Sequence, residues 1–201
     1  MIRLTRTNSP APAPTKIEGQ RVWLKPPQPD EWMAWAELRA ISRDFLVPWE
    51  PLWPADALTE TAYLRRIRRL ATEWKTDEGY SFHVFERARG RLVGGIGITQ
   101  VRRGVAQTAT LGYWVGAPFE RRGYTTDAVR LIVRFAFETL QLHRVEAACL
   151  PENLASRRVL EKAGFVREGY ARLYLRIAGA WRDHLTFALL REDFEGKSET
   201  A

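Results

Sequence analysis

The amino-acid sequence predicts an α/β (α+β) fold, in which one mixed central sheet carries helices on both faces. Several short segments are apolar or alternate apolar and polar residues, which is typical of strands, and four longer segments repeat apolar residues at three- and four-residue spacing, which is typical of helices. The two kinds of segment are interleaved along the chain. At 201 residues the chain has the size of one domain with a substantial core, and it shows no internal repeat.

The first half of the chain is predicted to hold a strand, two helices and a hairpin. In order, the predicted elements are a strand over 21–25, a helix over 31–41, an ordered loop over 45–57, a helix over 59–75, and strands over 81–85 and 92–98. Asp30 is expected to cap the first helix, because a carboxylate accepts hydrogen bonds from the unpaired N–H groups of a first turn. The loop is expected to be ordered, because it carries two tryptophans and flexible linkers rarely do.

The second half is predicted to alternate strands and helices and to end in a hairpin. In order, the elements are a strand over 111–115, a helix over 127–140, a strand over 145–149, a helix over 153–163, and paired strands over 170–177 and 181–190. The first of these helices is apolar on two sides, which indicates wide burial against a sheet. Gly164 is expected to close the second helix in the left-handed conformation, with Phe165 folding back over it. Cys149 is expected to be a small buried strand residue rather than a nucleophile.

The domain is predicted to span residues 16–195. Residues 1–15, in which prolines alternate with alanines, are expected to form a flexible tail, and residues 196–201 a short C-terminal tail. No apolar run approaches the roughly 18 residues of a membrane span, and the N-terminus lacks the apolar stretch of a signal peptide. A single cysteine excludes an intramolecular disulfide framework and favours a cytoplasmic location.

The chain is basic, with a formal net charge of +7, which favours acidic partners without identifying them. Arg65, Arg66, Arg68 and Arg69 cluster on one predicted helix, and this cluster is consistent with a solvated basic face or with contact to RNA. No RNA-binding motif is present, and aromatic residues are not interleaved with the basic run as stacking platforms require. The three histidines show no metal-ligand spacing, so no metal site is expected.

The most informative segment lies between the strand over 111–115 and the helix that follows it. It reads Phe119-Glu120-Arg121-Arg122-Gly123-Tyr124-Thr125-Thr126-Asp127 and places arginines, a glycine and two threonines at a helix start. The N–H groups of a first helical turn are unpaired, and the helix dipole adds partial positive charge there. Because Gly123 has no Cβ, the main chain is expected to approach a phosphate closely. The segment therefore predicts a diphosphate-binding turn.

This turn resembles the acetyl-coenzyme A motif of the GNAT N-acetyltransferases, Arg-x-x-Gly-x-Gly/Ala between a strand and a helix. Glu120 and Thr125 depart from that pattern at its two ends. Further blocks that resemble the family are Leu142–Ala147, Pro151–Ser156 and Ala163–Phe165. Three other blocks resemble the RimJ/RimL branch of the family: Phe45–Pro51, Glu168–Arg172 and Gly179–His184. Members of that branch acetylate protein N-termini, notably those of ribosomal proteins. The likeness covers nearly the whole chain.

The resemblance implies a single GNAT domain whose sheet is splayed around acetyl-coenzyme A, the co-substrate, with direct acetyl transfer. In the family, a free backbone N–H of the strand before the turn binds the thioester carbonyl, which here implies Val115. At least one of Tyr113 and Trp114 is expected simply to pack in the sheet. The implied coenzyme-binding residues are Trp114, Val115, Arg121, Arg122, Gly123, Tyr124, Thr125, Thr126 and Asn153.

Two helix-start residues carry further implications of the resemblance. Asn153 matches the residue that contacts the coenzyme arm, and an ordinary helix cap is the alternative. Ser156 matches the serine that the RimJ/RimL branch places near the sulfur, where it is expected to protonate the leaving thiolate.

Two usual catalytic groups of the family are absent. Thr110 stands where many members carry a glutamate base, and Leu160 where many carry a tyrosine acid. Without a strong base the enzyme needs an amine that is already partly neutral, and an α-amino group, with a pKa of about 7.7–8.0, meets this need better than a lysine at about 10.4. The sequence therefore favours a protein N-terminus as substrate. Glu50, in the proline-rich loop, is the candidate for binding the incoming ammonium or relaying its proton, and a plain surface charge is the alternative.

Two other functions stay open at this stage. One is acetylation of a small amine such as an antibiotic or a polyamine, although such polycations usually need an acidic cleft and this chain is basic. The other is a non-catalytic coenzyme-sensing or ribosome-associated module, because intact coenzyme residues beside incomplete catalytic ones would look like this sequence.

Overall fold

The computed structural model of the protein describes residues 16–198. The tail predicted over 1–15 and the last three residues of the chain lie outside the described residues. The strands are β1 (Ile17–Glu18), β2 (Val22–Lys25), β3 (Gly79–Glu86), β4 (Leu92–Arg102), β5 (Thr108–Val115), β6 (Arg144–Cys149), β7 (Val166–Ile177) and β8 (Ala180–Leu190). The helices are α1 (Trp32–Ile41), α2 (Arg43–Leu46), α3 (Glu60–Lys75), α4 (Tyr124–Arg134), α5 (Leu154–Ala163) and α6 (Arg191–Ser198).

These strands form one eight-stranded sheet in the order β1-β2-β3-β4-β5-β6-β8-β7, with helices on both sides, which confirms the predicted fold class. Neighbouring strands are antiparallel except β5 and β6, which run parallel. That parallel pair is in register only over Thr108–Thr110 and Arg144–Glu146. The residues that follow, Leu111–Val115 and Ala147–Cys149, form no pairs with each other, so the sheet opens into a wedge at its middle.

The core lies where α4 packs on the sheet. Its apolar residues are almost completely buried, and the main ones are Ala128, Val129, Leu131, Ile132 and Val133. The wide burial predicted for this helix is therefore confirmed. The helix also begins three residues earlier than predicted, at Tyr124, directly after Gly123 in the left-handed conformation, and the carboxylate of Asp127 in its first turn does not cap it. That carboxylate accepts hydrogen bonds from the backbone N–H groups of Arg21 and Val22, at 2.8 and 3.1 Å, and so joins α4 to β2.

The start of α1 differs from the prediction as well. Residues Pro29–Glu31 form a 3-10 turn, the helix begins at Trp32, and Asp30 does not cap it, so the predicted cap was wrong. The reason is that Glu31 holds the turn: its carboxylate accepts from the N–H of Gln28 at 2.9 Å and lies 2.8 Å from Nδ1 of His83 on β3.

Smaller differences concern irregular segments. The segment predicted as an ordered loop over 45–57 begins with the end of α2 and a 3-10 turn at Val47–Trp49. Residues Phe135–Thr139 continue α4 as a π-helix, and α6 follows β8 and reaches Ser198, past the boundary predicted at 195. At the end of α5, Gly164 has φ of 98°, and the N–H of Phe165 donates to the carbonyl of Leu160 at 3.0 Å, as predicted.

Candidate active site

A cleft of about 1380 Å³ enters the sheet where β5 and β6 separate. Its volume exceeds the roughly 300–1,000 Å³ of a pocket for one small ligand, so it has room for two substrates. The cleft is lined by every residue predicted for the site: Glu50, Trp114, Val115, Arg121, Arg122, Gly123, Tyr124, Thr125, Thr126, Asn153 and Ser156. The structure therefore brings all of the sequence-derived candidates together.

The diphosphate turn connects β5 to α4 and offers unpaired donors. The first backbone hydrogen bond of α4 runs from the N–H of Asp127 to the carbonyl of Gly123, at 3.1 Å, which leaves the N–H groups of Tyr124–Thr126 available to an anion. Arg122 lies over the ring of Phe119, 5.8 Å from its centroid. These donors and charges fit a diphosphate.

Glycine is favoured at position 123 by the backbone conformation. Its φ of 78° lies in the left-handed region, which disfavours most side chains. A Cβ built there would meet only the Arg21 side chain, at an ordinary 3.6 Å, so no contact within the protein demands a glycine. The close approach of a phosphate to this main chain stays a prediction.

The end of β5 supplies a donor directed into the wedge. The N–H of Gly116 donates to the carbonyl of Val93 on β4, at 2.9 Å. Because successive N–H groups of a strand point to opposite sides, the N–H of Val115 points away from β4, where β6 has already separated from β5. This geometry favours Val115 as the donor to a thioester carbonyl.

A hydroxyl pair lies beside this donor. The Asn153 side chain caps α5 by accepting from the N–H of Ser156 at 3.0 Å. The Ser156 hydroxyl lies 2.8 Å from the hydroxyl of Tyr113 on β5. Burial raises the pKa of Tyr113, so its phenol stays protonated near neutral pH. Either hydroxyl can donate in this pair, and the hydroxyl of Tyr113 also lies within donating distance of the backbone carbonyl of Ser156, at 3.3 Å. When Tyr113 donates to the Ser156 hydroxyl, the proton of Ser156 is left free for a sulfur atom in the cleft.

Tyr113 is a functional candidate that the predicted site did not include. It lines the cleft, whereas Leu160, where many members of the family carry a tyrosine, is buried in the core. The signal available in sequence was weak, because the two residues of the hydroxyl pair lie 43 positions apart. Cys149 is buried, as predicted, and burial raises the pKa of its thiol, which argues against a nucleophilic role.

Glu50 is held by an arginine and a tryptophan on the opposite side of the cleft. Its two carboxylate oxygens accept from Arg39, at 2.8 and 2.6 Å, and one also accepts from Nε1 of Trp53 at 2.7 Å. The Arg39 guanidinium lies over the rings of Trp53 and Trp114, 4.1 and 4.8 Å from their centroids. The backbone carbonyl of Glu50 accepts from the N–H of Ala178 at the β7–β8 turn. Glu50 thus ties the loop that carries Trp49 and Trp53, called the tryptophan loop below, to α1 and to the β7–β8 hairpin.

Three of the four arginines of α3, Arg65, Arg68 and Arg69, are exposed, which fits the solvated basic face that is one of the two predicted alternatives. Arg65 pairs with Asp56 at 2.9 Å, Arg69 pairs with Glu73 at 3.3 Å, and burial lowers the pKa of Arg66. Among residues 16–198, no group of three or more His, Cys, Asp or Glu side chains is placed to hold a metal ion, and no helix is long and apolar enough to cross a membrane.

A mixed sheet that opens between two parallel strands, with an anion-binding helix start at the opening, is the architecture of an acyl-coenzyme A-dependent N-acetyltransferase. The chain belongs to the GNAT acetyltransferase family: the model of that family, described as an acetyltransferase (GNAT) domain, matches residues 21–166. The protein is accordingly an N-acetyltransferase.

Known proteins support the RimJ/RimL branch predicted from the sequence blocks. The chain is 37% identical over 179 residues to the probable N-acetyltransferase YjcK of Bacillus subtilis, a match that covers 89% of this chain and 99% of the relative. It is 31% identical over 165 residues to the ribosomal protein uS5-alanine N-acetyltransferase of Escherichia coli, covering 82% and 84% of the two chains. The solved structure of Mycobacterium smegmatis RimJ in complex with CoA-disulfide matches with a TM-score of 0.84 and 30% identity, over 92% of this chain and 94% of that one.

Proposed function

We propose that the protein transfers an acetyl group from acetyl-coenzyme A directly to the α-amine of a protein N-terminus in the cytoplasm, with ribosomal proteins as the leading substrate class. The similarity to the uS5-alanine enzyme supports this class. Contact with ribosomal RNA is no part of the proposal, because the sequence carries no RNA-binding motif and two of the α3 arginines, Arg65 and Arg69, are in ion pairs.

The main support for a protein N-terminus as substrate is that the glutamates in the cleft are paired with arginines. Away from the diphosphate turn, each glutamate that lines the cleft is in an ion pair with arginine; these glutamates are Glu50, Glu146, Glu152 and Glu168. A cleft whose acids are already neutralised offers little attraction to a polyamine or an aminoglycoside. It accepts a single amine on an otherwise neutral segment far more readily.

In this mechanism the coenzyme supplies the acetyl group as a thioester. The diphosphate turn and Asn153 hold its arm, and the N–H of Val115 binds the carbonyl oxygen as negative charge develops there. Ser156, supported by Tyr113, donates the proton that the leaving sulfur needs. The wall around Trp49 and Glu50 encloses the first residue of the acceptor.

The function is tested by thiol release over a panel of amines. We expect turnover with peptides that begin with free alanine or serine, and none with the same peptides acetylated at the N-terminus. Turnover only with polyamines or aminoglycosides would replace the proposal with small-molecule acetylation. Coenzyme binding without turnover on any amine would favour the sensing module.

Ser156→Ala is expected to lower kcat by about 10²-fold, because the leaving thiolate loses its acid. Acetyl-coenzyme A affinity, measured by calorimetry, should change little, since the backbone N–H that Asn153 caps is kept. Tyr113→Phe should give a smaller loss, and the double variant should fall no further than Ser156→Ala if the two hydroxyls act in series. A kcat for Ser156→Ala within about twofold of the wild-type value would remove Ser156 from the mechanism.

Glu50→Gln is expected to raise KM for the acceptor peptide more than it lowers kcat. The substitution leaves the guanidinium of Arg39, which is 12% exposed, without its counter-charge and loosens the tryptophan loop. Steady-state kinetics measure the two effects, and Glu138→Gln is the control, because that exposed glutamate pairs with Arg134 outside the cleft. A fall in kcat at unchanged KM would instead assign Glu50 to proton transfer.

A further inference from the structure

The two faces of the sheet carry different chemistry at the wedge. Residues opposite each other on paired strands point to the same face, and so does every second residue along a strand. Thr110 on β5 is opposite Glu146 on β6, and Ala148, two residues after Glu146, is opposite Thr186 on β8. His184 is two residues before Thr186 on the same strand, so all five residues share one face of the sheet. Ser156 and its partner Tyr113, an odd number of positions from Thr110, lie on the other face. The acid and His184 therefore flank the wedge from opposite sides.

His184 is fixed in one tautomer. Its Nδ1 lies 2.9 Å from the carbonyl oxygen of Arg182, which can only accept, so Nδ1 carries the proton and Nε2 carries the lone pair. The ring stands edge-on to Tyr174, with centroids 5.8 Å apart. The residue is 3% exposed overall, yet it lines the cleft.

The free nitrogen of His184 differs from that of the other buried histidine. Among the described residues, Nε2 of His83 is completely buried and has no hydrogen-bond partner. Nε2 of His184 also has no hydrogen-bond partner within the protein, but it is not completely buried. An acceptor nitrogen held in this way, at the edge of a substrate cleft, is available to a proton from a substrate.

We propose that His184 is the base that takes the proton from the acceptor nitrogen; this inference rests on the proposed function. As the lone pair of the neutral amine forms the C–N bond, the nitrogen becomes positively charged and must lose a proton. Nε2 of His184 accepts that proton, the C–S bond breaks, and the sulfur leaves with the electron pair. Ser156 protonates the sulfur and takes a proton back from solvent through the hydroxyl of Tyr113, while the proton on His184 returns to solvent, so one proton leaves the nitrogen for each proton that the sulfur gains.

The charged groups around His184 leave the role of base to it. Tyr174 faces the ring from β7. On the neighbouring segments, Glu152 pairs with Arg182. Asp183 accepts from the hydroxyl of Tyr170 and from the N–H of Leu173. Across the cleft, Glu50 pairs with Arg39. Each of these carboxylates is engaged, whereas Nε2 is not. The imidazole thereby supplies what Thr110 lacks.

The test is the variant His184→Asn, whose side-chain amide retains a donor to the carbonyl of Arg182. We expect kcat/KM at pH 7 to fall by roughly 10²–10⁴-fold, with unchanged acetyl-coenzyme A affinity by calorimetry. At the acid end of the pH profile, log kcat/KM of the wild type should rise with pH at a slope of 2, since both the base and the amine must have lost a proton. In His184→Asn only the amine remains, and the slope should be 1. His143→Asn, which removes an exposed histidine outside the cleft, should keep the slope of 2.

A second readout is independent of turnover. Nitrogen NMR of the free wild-type protein should show a resonance, absent from His184→Asn, for an imidazole with the proton on Nδ1. A slope of 2 in His184→Asn, or the proton on Nε2, would overturn the assignment. The kinetic test uses whichever amine the wild type acetylates best, so failure of His184 as base is distinct from failure of the N-terminal substrate class.

Discussion

Gly123→Asp is expected to weaken acetyl-coenzyme A binding by about two orders of magnitude while the protein stays folded. The carboxylate would face a diphosphate at the unpaired N–H groups of α4, and juxtaposed like charges cost several kcal/mol. The fold should survive because aspartate tolerates a positive φ better than most residues and a negative charge at a helix N-terminus is stabilising. Calorimetric titration and a thermal melt measure the two properties.

Gly123→Asn is the matched control for that experiment. Asparagine has nearly the same shape as aspartate and also tolerates φ of 78°, but it carries no charge. It should therefore lose much less affinity than Gly123→Asp, and adding salt should narrow the difference between the two variants. Unchanged affinity in a folded Gly123→Asp variant would contradict the assignment of this turn to the diphosphate.

The local structure of the segments proposed to hold the coenzyme could largely be predicted from the sequence, because it is built from local signals. The diphosphate turn is one continuous segment, and the cap of α5 by Asn153 spans three residues. Such features depend on backbone conformations that a few neighbouring residues decide. The same holds for Gly164, whose left-handed conformation ends α5.

The acceptor side could not be predicted in the same way, because its contacts join distant parts of the chain. The tie between Arg39 and Glu50 depends on how α1 meets the tryptophan loop. The carboxylate of Asp127 likewise finds its partners more than 100 residues away, at the N–H groups of Arg21 and Val22. The candidate role of His184 depends on its tautomer and on the face of β8 that it occupies. None of these follows from spacing, although the sequence did show that a base was missing at Thr110.

A peptide with a free N-terminal alanine and one internal lysine is expected to be acetylated on its α-amine. At pH 7 roughly a tenth of an α-amino group with a pKa near 8 is neutral, against about four in ten thousand for a lysine at about 10.4, a ratio of some 200-fold or more. The carboxylates of the cleft do not offset this difference, since Glu50 is paired with Arg39. Mass spectrometry of the product locates the acetyl group.

The pH dependence of the preference for the α-amine over the lysine shows whether it comes from the ionisation of the amines or from contacts between the cleft and the peptide. Between about pH 8 and 10 the neutral fraction of the α-amine levels off, while that of the lysine still rises nearly tenfold per unit, so the preference should shrink as pH increases. The same peptide with its N-terminus already acetylated is the control, because it presents only the lysine and should react hundreds of times more slowly at pH 7. A preference that stays constant with pH would mean that the cleft selects the α-amine by contacts. Acetyl groups found mainly on lysine would contradict the N-terminal substrate. The expected trend instead ties substrate choice to the ionisation of the amine itself, because only the neutral amine has a lone pair to attack the thioester.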